Sequence, residues 1–411
     1  MAVIRPFQGI RPRPEYAGQI AALPYDVYSS EEARKVVEKE PLSFLRIDRA
    51  ETNFPISQDM YASCVYEKAG ELLGEWLEEG YLLQDEKKVY YIYELTMNGR
   101  IQTGIVAVAS VDDYNNQVIK KHENTRSDKE LDRIHHIEGC GMQTGPIFLA
   151  YRDNEVLNVL VNKTKEKEPL YDFTKEDGVR HRVFLLEDED EIQTIEQTFA
   201  GIDRIYIADG HHRCASAAKV CMDRRQENPD YTKEEEYNYV LSVLFPQSQL
   251  EILDYNRVVK DLNGLSRGEF LEKLEKCFSI EKREEKVKPE KKGQWGMYLG
   301  NSWYSLTLKE EITPTQDVVG RLDVSLLQEY CLAPILGIQD PKTDKRIDFI
   351  GGIRGLEELE RRVQTDCQVA FSLMPTSMEE LFAVADRGLL MPPKSTWFEP
   401  KLRSGLFLHK L

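Results

Sequence analysis

Ile205-Tyr-Ile-Ala-Asp-Gly-His-His-Arg-Cys-Ala-Ser-Ala-Ala-Lys219 reads as a buried strand that runs straight into a helix. Residues 205–208 form an apolar run of central-strand length, and 215–219 are small residues suited to the start of a helix. Asp209 and Gly210 sit at the turn, with His211, His212 and Arg213 behind them. Such a junction leaves the first helical N–H groups without intrahelical partners and aims the positive end of the helix dipole outward, the usual physical basis of a phosphate site. Ala215, Ser216, Ala217 and Ala218 have little bulk, so phosphates could approach the backbone closely. Arg213 offers a planar fork for phosphate, Asp209 a carboxylate for a cation, and the histidines proton transfer or hydrogen bonding. An Asp N-cap before a glycine is also ordinary α/β architecture, in which a histidine serves as a structural hydrogen-bonder.

A second junction of the same kind lies upstream. Residues 118–137 begin as a strand end and continue as a helix, which gathers Lys121, His122, Glu123, Thr125 and Arg126. That set mixes a general base, phosphate donors and a cation ligand, although a charged run can equally be a solvated face. His135 and His136 are adjacent on the helix and diverge by about 100°, so they cannot chelate one ion together. The run Gly139-Cys-Gly-Met-Gln-Thr-Gly-Pro146 can serve as a ligand loop but lacks the GxxxxGK[ST] pattern of a P-loop. Pro24-Tyr25-Asp26 falls in a loop before a helix capped by Ser29 or Ser30, either as a plain turn or within reach of a site. The tail, with Pro392, Pro393, Lys394, Ser395, Thr396, Lys401 and Arg403, reads as a stiff basic strap for an anionic ligand or the other lobe, or as a packing segment.

The remaining pattern is mixed. A helix over 60–80 precedes strands 89–96 and 101–111 joined across Asn98-Gly99. Strands follow at 147–151, 156–161 and 182–186, then an acidic helix over 187–199 and a buried strand over 239–245. Beyond residue 250 come a helix over 267–277, a mixed-charge linker over 281–292 and a hairpin over 295–308. Helices at 323–331, 356–363 and 378–387 then alternate with strands at 346–350 and 369–374. The expected fold class is α/β (mixed α+β), with a core over 1–250 and a second α+β lobe over 251–411.

With 411 residues and 41% hydrophobic content the chain can bury a substantial core. A formal charge of −17 argues against nonspecific nucleic-acid binding. Seven cysteines without a CxxC pair suit free thiols in a reducing compartment, and small buried thiols explain Cys214 and Cys221. No segment has the apolar length of a membrane span, and the N-terminus lacks the apolar core of a signal peptide. A cytoplasmic protein is expected.

With Asp-Gly-His-His-Arg at 209–213, His-Glu-Asn-Thr at 122–125 and Met-Pro-Pro-Lys-Ser-Thr-Trp-Phe-Glu-Pro-Lys-Leu at 391–402, the chain resembles the DUF1015 family over nearly its full length. Its motif region is similar to the ParB/sulfiredoxin-like superfamily, which includes free serine kinases. The Gly-x-x-Arg spacing of Gly210 and Arg213 matches that superfamily's phosphate turn, and the serine kinases share an Asp-Gly-His-x-Arg motif. The resemblance implies a ParB/sulfiredoxin-like core that binds ATP or ADP with Mg²⁺. In it Asp209, His211 and Arg213 handle phosphates and magnesium, with Asp209 the metal ligand. Glu123 is the candidate base toward a hydroxyl acceptor, with free serine the acceptor the resemblance implies and Asp26 behind Glu123 as base. His212 joins the catalytic set, His122, Thr125, Arg126 and Ser216 the phosphate-binding set, and Asp26, Lys394, Ser395 and Thr396 the substrate-binding set. The implied partners are a small-molecule substrate and a nucleotide, with a homodimer open. Position 211 is His where sulfiredoxins need Cys, and the DNA-binding segments of ParB proteins are missing. The alternative is a ParB-type nucleotide-binding regulatory module.

Overall fold

The computed structural model describes residues 1–312 and 317–411. The chain divides into two compact units, Met1–Leu250 with Pro400–Leu411, and Glu251–Glu399. Both are mixed α/β. The last twelve residues, grouped by sequence with the second lobe, thus belong to the first unit.

The first unit is built on a nine-stranded sheet. Its strands in chain order are β1 (Ile4–Arg5), β2 (Tyr90–Met97), β3 (Arg100–Ser110), β4 (Ile119–Lys120), β5 (Ile147–Tyr151), β6 (Tyr171–Thr174), β7 (Arg180–Leu186), β8 (Ile205–Asp209) and β9 (Tyr239–Pro246). The spatial order is β4-β8-β5-β9-β3-β2-β7-β6, with β1 on β3. Asn98 and Gly99 at φ 52° and 79° close the β2–β3 hairpin, as their sequence predicts. Every residue of β5 and β9 is buried, because helices and loops cover both faces of the centre.

Three helices position the site: α1 (Ser63–Glu78), α2 (Ser127–Cys140) and α3 (His211–Glu227). Cys214, Ala217 and Val220 of α3 join Ile147, Leu149, Ile205 and Ile207 in one core cluster. A second cluster packs Phe44, Leu45 and Ile47 against Leu72, Leu73 and Trp76 of α1. α1 and α2 meet at glycines: a Cβ on Gly70 would lie 2.2 Å from the Gly139 carbonyl oxygen, and one on Gly139 2.7 Å from that of Tyr66. Only hydrogen fits there.

Two expectations fail locally. The run 156–161 is not a strand; it lies in the helix Glu155–Thr164, capped by Asn154, whose side chain accepts from the Val156 and Leu157 N–H groups. Leu157, Val161 and Thr164 face inward at helical spacing while Val156 and Val159 are exposed, so periodicity outweighs the β-branched composition. The mixed-charge linker over 281–292 begins inside the strand Phe278–Arg283.

The second unit carries a six-stranded sheet, in the order Phe278–Arg283, Ser302–Leu308, Gln294–Leu299, Val369–Leu373, Tyr255–Val259 and Ile347–Gly351. All its pairings are antiparallel. The helix Gly355–Thr365 packs Leu359 against Val258, Tyr298 and Ala370.

Candidate functional site

β4 and β8 pair in parallel, with Ile205 opposite Ile119 and Tyr206 opposite Lys120, so both strands end at one edge. The loops that leave them, 121–126 and 209–213, are therefore neighbours. β5 runs antiparallel to β8 with Asp209 opposite Phe148, which brings the glycine-rich approach to β5 to the same edge. The tail is stitched there as well: His409 pairs with Gln143, and Ser404 bridges Ala22.

Gly210 forms the turn at φ 90° and ψ 29°, a left-handed conformation that side chains resist. Its N–H donates to Asp209 Oδ1 at 2.8 Å, and Lys401 Nζ donates to Asp209 Oδ2 at 2.8 Å. Burial opposes charge on Asp209, yet Lys401 and Arg213 hold its carboxyl well below the usual range. The first helical bond of α3 runs from Cys214 N–H to the Gly210 carbonyl at 2.9 Å, and Gly210 at the N-cap brings no side chain to cap the helix. The N–H groups of His211, His212 and Arg213 thus stand ahead of the ladder, at the positive end of the dipole. The Arg213 guanidinium donates to the Pro146 carbonyl.

At the same helix start, His211 and His122 meet edge to face at 4.5 Å. Glu123 Oε2 lies 4.0 Å from His211 Nδ1. Burial, reinforced by His122, holds His211 well below its ordinary range, and burial holds His122 at about 4 despite the Asp209 charge. Both rings are neutral at pH 7. His211 Nε2 is buried with no hydrogen-bond partner among the described residues.

Next to Arg213 lies a cleft of about 440 Å³, counted out to where it opens to solvent. Asp48, Arg133, His136, Thr144, Gly145 and Tyr25 line it. Thr144 Oγ1 donates to Asp48 Oδ1 at 2.8 Å, and His136 Nε2 is 3.8 Å from the same oxygen. The Arg133 guanidinium lies 3.9 Å over the Tyr25 ring while Nε and Nη2 engage Asp132 at 3.0 and 2.9 Å. Burial lifts the Tyr25 hydroxyl to about 12 against the pull of Arg133. Burial and Arg133 together hold His136 at about 4.

Residues 4–325 match the family described as a protein of unknown function, DUF1015. The chain belongs to the DUF1015 family. Among solved structures it is similar to a free serine kinase mutant in complex with ADP, at 16% identity and TM-score 0.36, over 73% of this chain and 92% of that one. It is also similar to SbnI with a C-terminal truncation from Staphylococcus aureus, at 15% identity and TM-score 0.39, over 74% of this chain and 87% of that one. A conserved hypothetical protein from Pyrococcus furiosus aligns at 15% identity and TM-score 0.35, over 74% and 95% of the two chains. No curated protein matches it.

In this DUF1015 member the fold brings Asp209, Gly210, His211, Arg213, His122 and Glu123 to one edge. His212 turns away and accepts from the Arg126 N–H at 3.0 Å, fastening the start of α2. Arg126 pairs with Asp128, and Thr125 is half-buried in the same loop. Ser216 is fully buried and donates to the Glu130 and His212 carbonyls at 3.0 and 2.8 Å, so it belongs to the α2–α3 contact rather than to a phosphate. Asp26 is exposed and outside the cleft, whereas its neighbour Tyr25 lines it. Lys394, Ser395 and Thr396 belong to the second unit, where Lys394 lies 5.7 Å over the Tyr255 ring and Ser395 donates to Pro392 at 2.6 Å.

A magnesium ion finds a poor protein site here. Asp209 spends its oxygens on Gly210 and Lys401, and no group of three metal-ligating side chains gathers among the described residues. The sequence reading overlooked Asp48 and Arg133. The available signal was in α2, where Asp132, Arg133 and His136 occupy the inward stripe that apolar residues normally fill.

Proposed function

We propose that this chain is a nucleotide-dependent phosphotransferase that moves a phosphoryl group to the hydroxyl of a small amino acid, with free serine the acceptor favoured by the Asp-Gly-His-x-Arg resemblance. The observation that carries the reading is the start of α3 at Gly210, which gathers Arg213, the Lys401–Asp209 pair, and His211 with Glu123. Lys401 neutralises Asp209, which leaves the Arg213 charge and the positive end of the α3 dipole for phosphate oxygens.

Phosphoryl transfer needs mainly positioning and charge neutralisation. The acceptor hydroxyl oxygen attacks the terminal phosphorus and gives its proton to Glu123. The bond from phosphorus to the bridging oxygen breaks, and the electron pair leaves with the nucleotide, as ADP from ATP or AMP from ADP. His211 Nδ1 lies 4.0 Å from Glu123 Oε2, and because the ring is neutral it does not lower the carboxylate's basicity as a neighbouring cation would.

Arg213→Ala is expected to abolish binding of a fluorescent adenine nucleotide, and Glu123→Gln to retain binding while transfer falls by about 10²–10⁴-fold. Unchanged nucleotide affinity in Arg213→Ala overturns the assignment. Binding without transfer in the unaltered protein overturns the enzyme and leaves a nucleotide-binding regulatory module.

A further inference from the structure

We propose that the cleft beside Arg213 is a binding site for the α-ammonium and α-carboxylate groups of a small amino acid, read by Asp48 and Arg133. The identity of the ligand as phosphoryl acceptor rests on the phosphotransferase reading; the site itself rests on the chemistry of the cleft.

Asp48 is 4% exposed and still presents an unused carboxylate oxygen. Oδ1 accepts from Thr144 at 2.8 Å, while Oδ2 makes no hydrogen bond among the described residues. Arg133 is 7% exposed and has the complementary feature. Its Nε and Nη2 engage Asp132 at 3.0 and 2.9 Å, its face lies on Tyr25, and Nη1 donates to nothing among the described residues. Both residues line the cleft, so these two atoms keep hydrogen-bonding capacity beside it. An ammonium and a carboxylate carried on one carbon atom can pair with both together.

The same pair selects against other ligands. Asp48 repels a phosphate or a simple carboxylic acid, and Arg133 repels a simple amine. His136, neutral at pH 7, adds a polar wall without charge. Tyr25 feels the charges of both Arg133 and Arg213, which places the amino-acid head within electrostatic range of the phosphate-binding helix start. Asp48, Arg133, Tyr25 and His136 also border a second, smaller cleft on the side of Glu51 and Tyr66.

Saturation-transfer NMR and calorimetry on the full chain, without nucleotide, test the site with L-serine as probe. L-serine is expected to bind, and 3-hydroxypropionate, which lacks the ammonium, and ethanolamine, which lacks the carboxylate, to bind at least about tenfold more weakly. Those arms use the unaltered protein and need no variant to fold. Asp48→Asn is expected to weaken L-serine by at least about tenfold without weakening 3-hydroxypropionate or a fluorescent adenine nucleotide. No binding by L-serine, equal binding by its two analogues and L-serine, or an Asp48→Asn protein that keeps full affinity overturns the proposal. The two readings fail separately. L-serine bound through Asp48 but never phosphorylated removes the phosphotransferase and keeps the site; phosphoserine formed with a KM for serine that Asp48→Asn does not move removes the site and keeps the enzyme.

Discussion

Lys401 is the residue on which the motif rests electrostatically. Its side chain, 12% exposed, holds a carboxylate at the end of β8 from nearly two hundred residues away in sequence. Lys401→Met is expected to destabilise the protein by about 1–3 kcal/mol, between the values for exposed and buried pairs, read as a shift in the urea midpoint. The double change with Asp209→Asn should recover part of the loss, since no charge is then stranded; a double variant as unstable as the sum of the singles contradicts the pairing. The Asp209–Gly210 turn and Arg213 were legible from their chemistry. The Lys401 contact was not, because a salt bridge spanning 192 positions leaves no local periodicity. Ser216 shows the opposite error: its small size suited a phosphate turn, but the hydroxyl is consumed by the helix contact.

At the scale of elements, the cleft depends on how α2 is seated. The Gly70–Gly139 contact lets α1 and α2 approach closely, and α2 carries Asp132, Arg133 and His136. Gly70→Ala places a methyl group 2.2 Å from the Gly139 carbonyl oxygen, so the helices must part. The expected cost is about 1–3 kcal/mol, with L-serine affinity falling further than nucleotide affinity because α3, besides its contact with α2, is anchored in the sheet core through Cys214, Ala217 and Val220. Equal losses for the two ligands contradict that seating. Long periodic elements were readable at this scale: 147–151 is a strand as expected, and 60–80 contains α1 with Gly80 at φ 76° behind it. The helix Glu155–Thr164 was misread because valines dominate a run whose inward spacing is helical. The start of α3 was placed late, since histidines and an arginine resemble loop composition although they already form its first turn.

For the molecule as a whole, buried histidines set the response to acid. Burial holds His122 and His136 at about 4 and His181 at about 2, while an unfolded histidine titrates near about 6.5. The unfolded chain therefore takes up protons first, and stability present above about 6.5 is lost as pH falls toward about 4. All three lie in the first unit. In the second unit burial lifts Asp323 to about 6, which works in the opposite direction. Hydrogen exchange corrected for intrinsic rates should show β2 and β3 losing protection between pH 7 and pH 5, and His181→Gln should reduce the change. Equal protection at both pH values contradicts this account. The mixed α/β class was visible from alternating patterns, but membership of residues 400–411 in the first unit was not, because it depends on pairings with Gln143 and Ala22.

The most direct measurement is a phosphorus NMR time course of the full chain with ATP or ADP, magnesium chloride in the buffer, and L-serine. The account predicts a growing phosphomonoester resonance matched by loss of the terminal nucleotide phosphate, absent in Arg213→Ala. Nucleotide resonances that broaden through binding while no phosphomonoester forms contradict it.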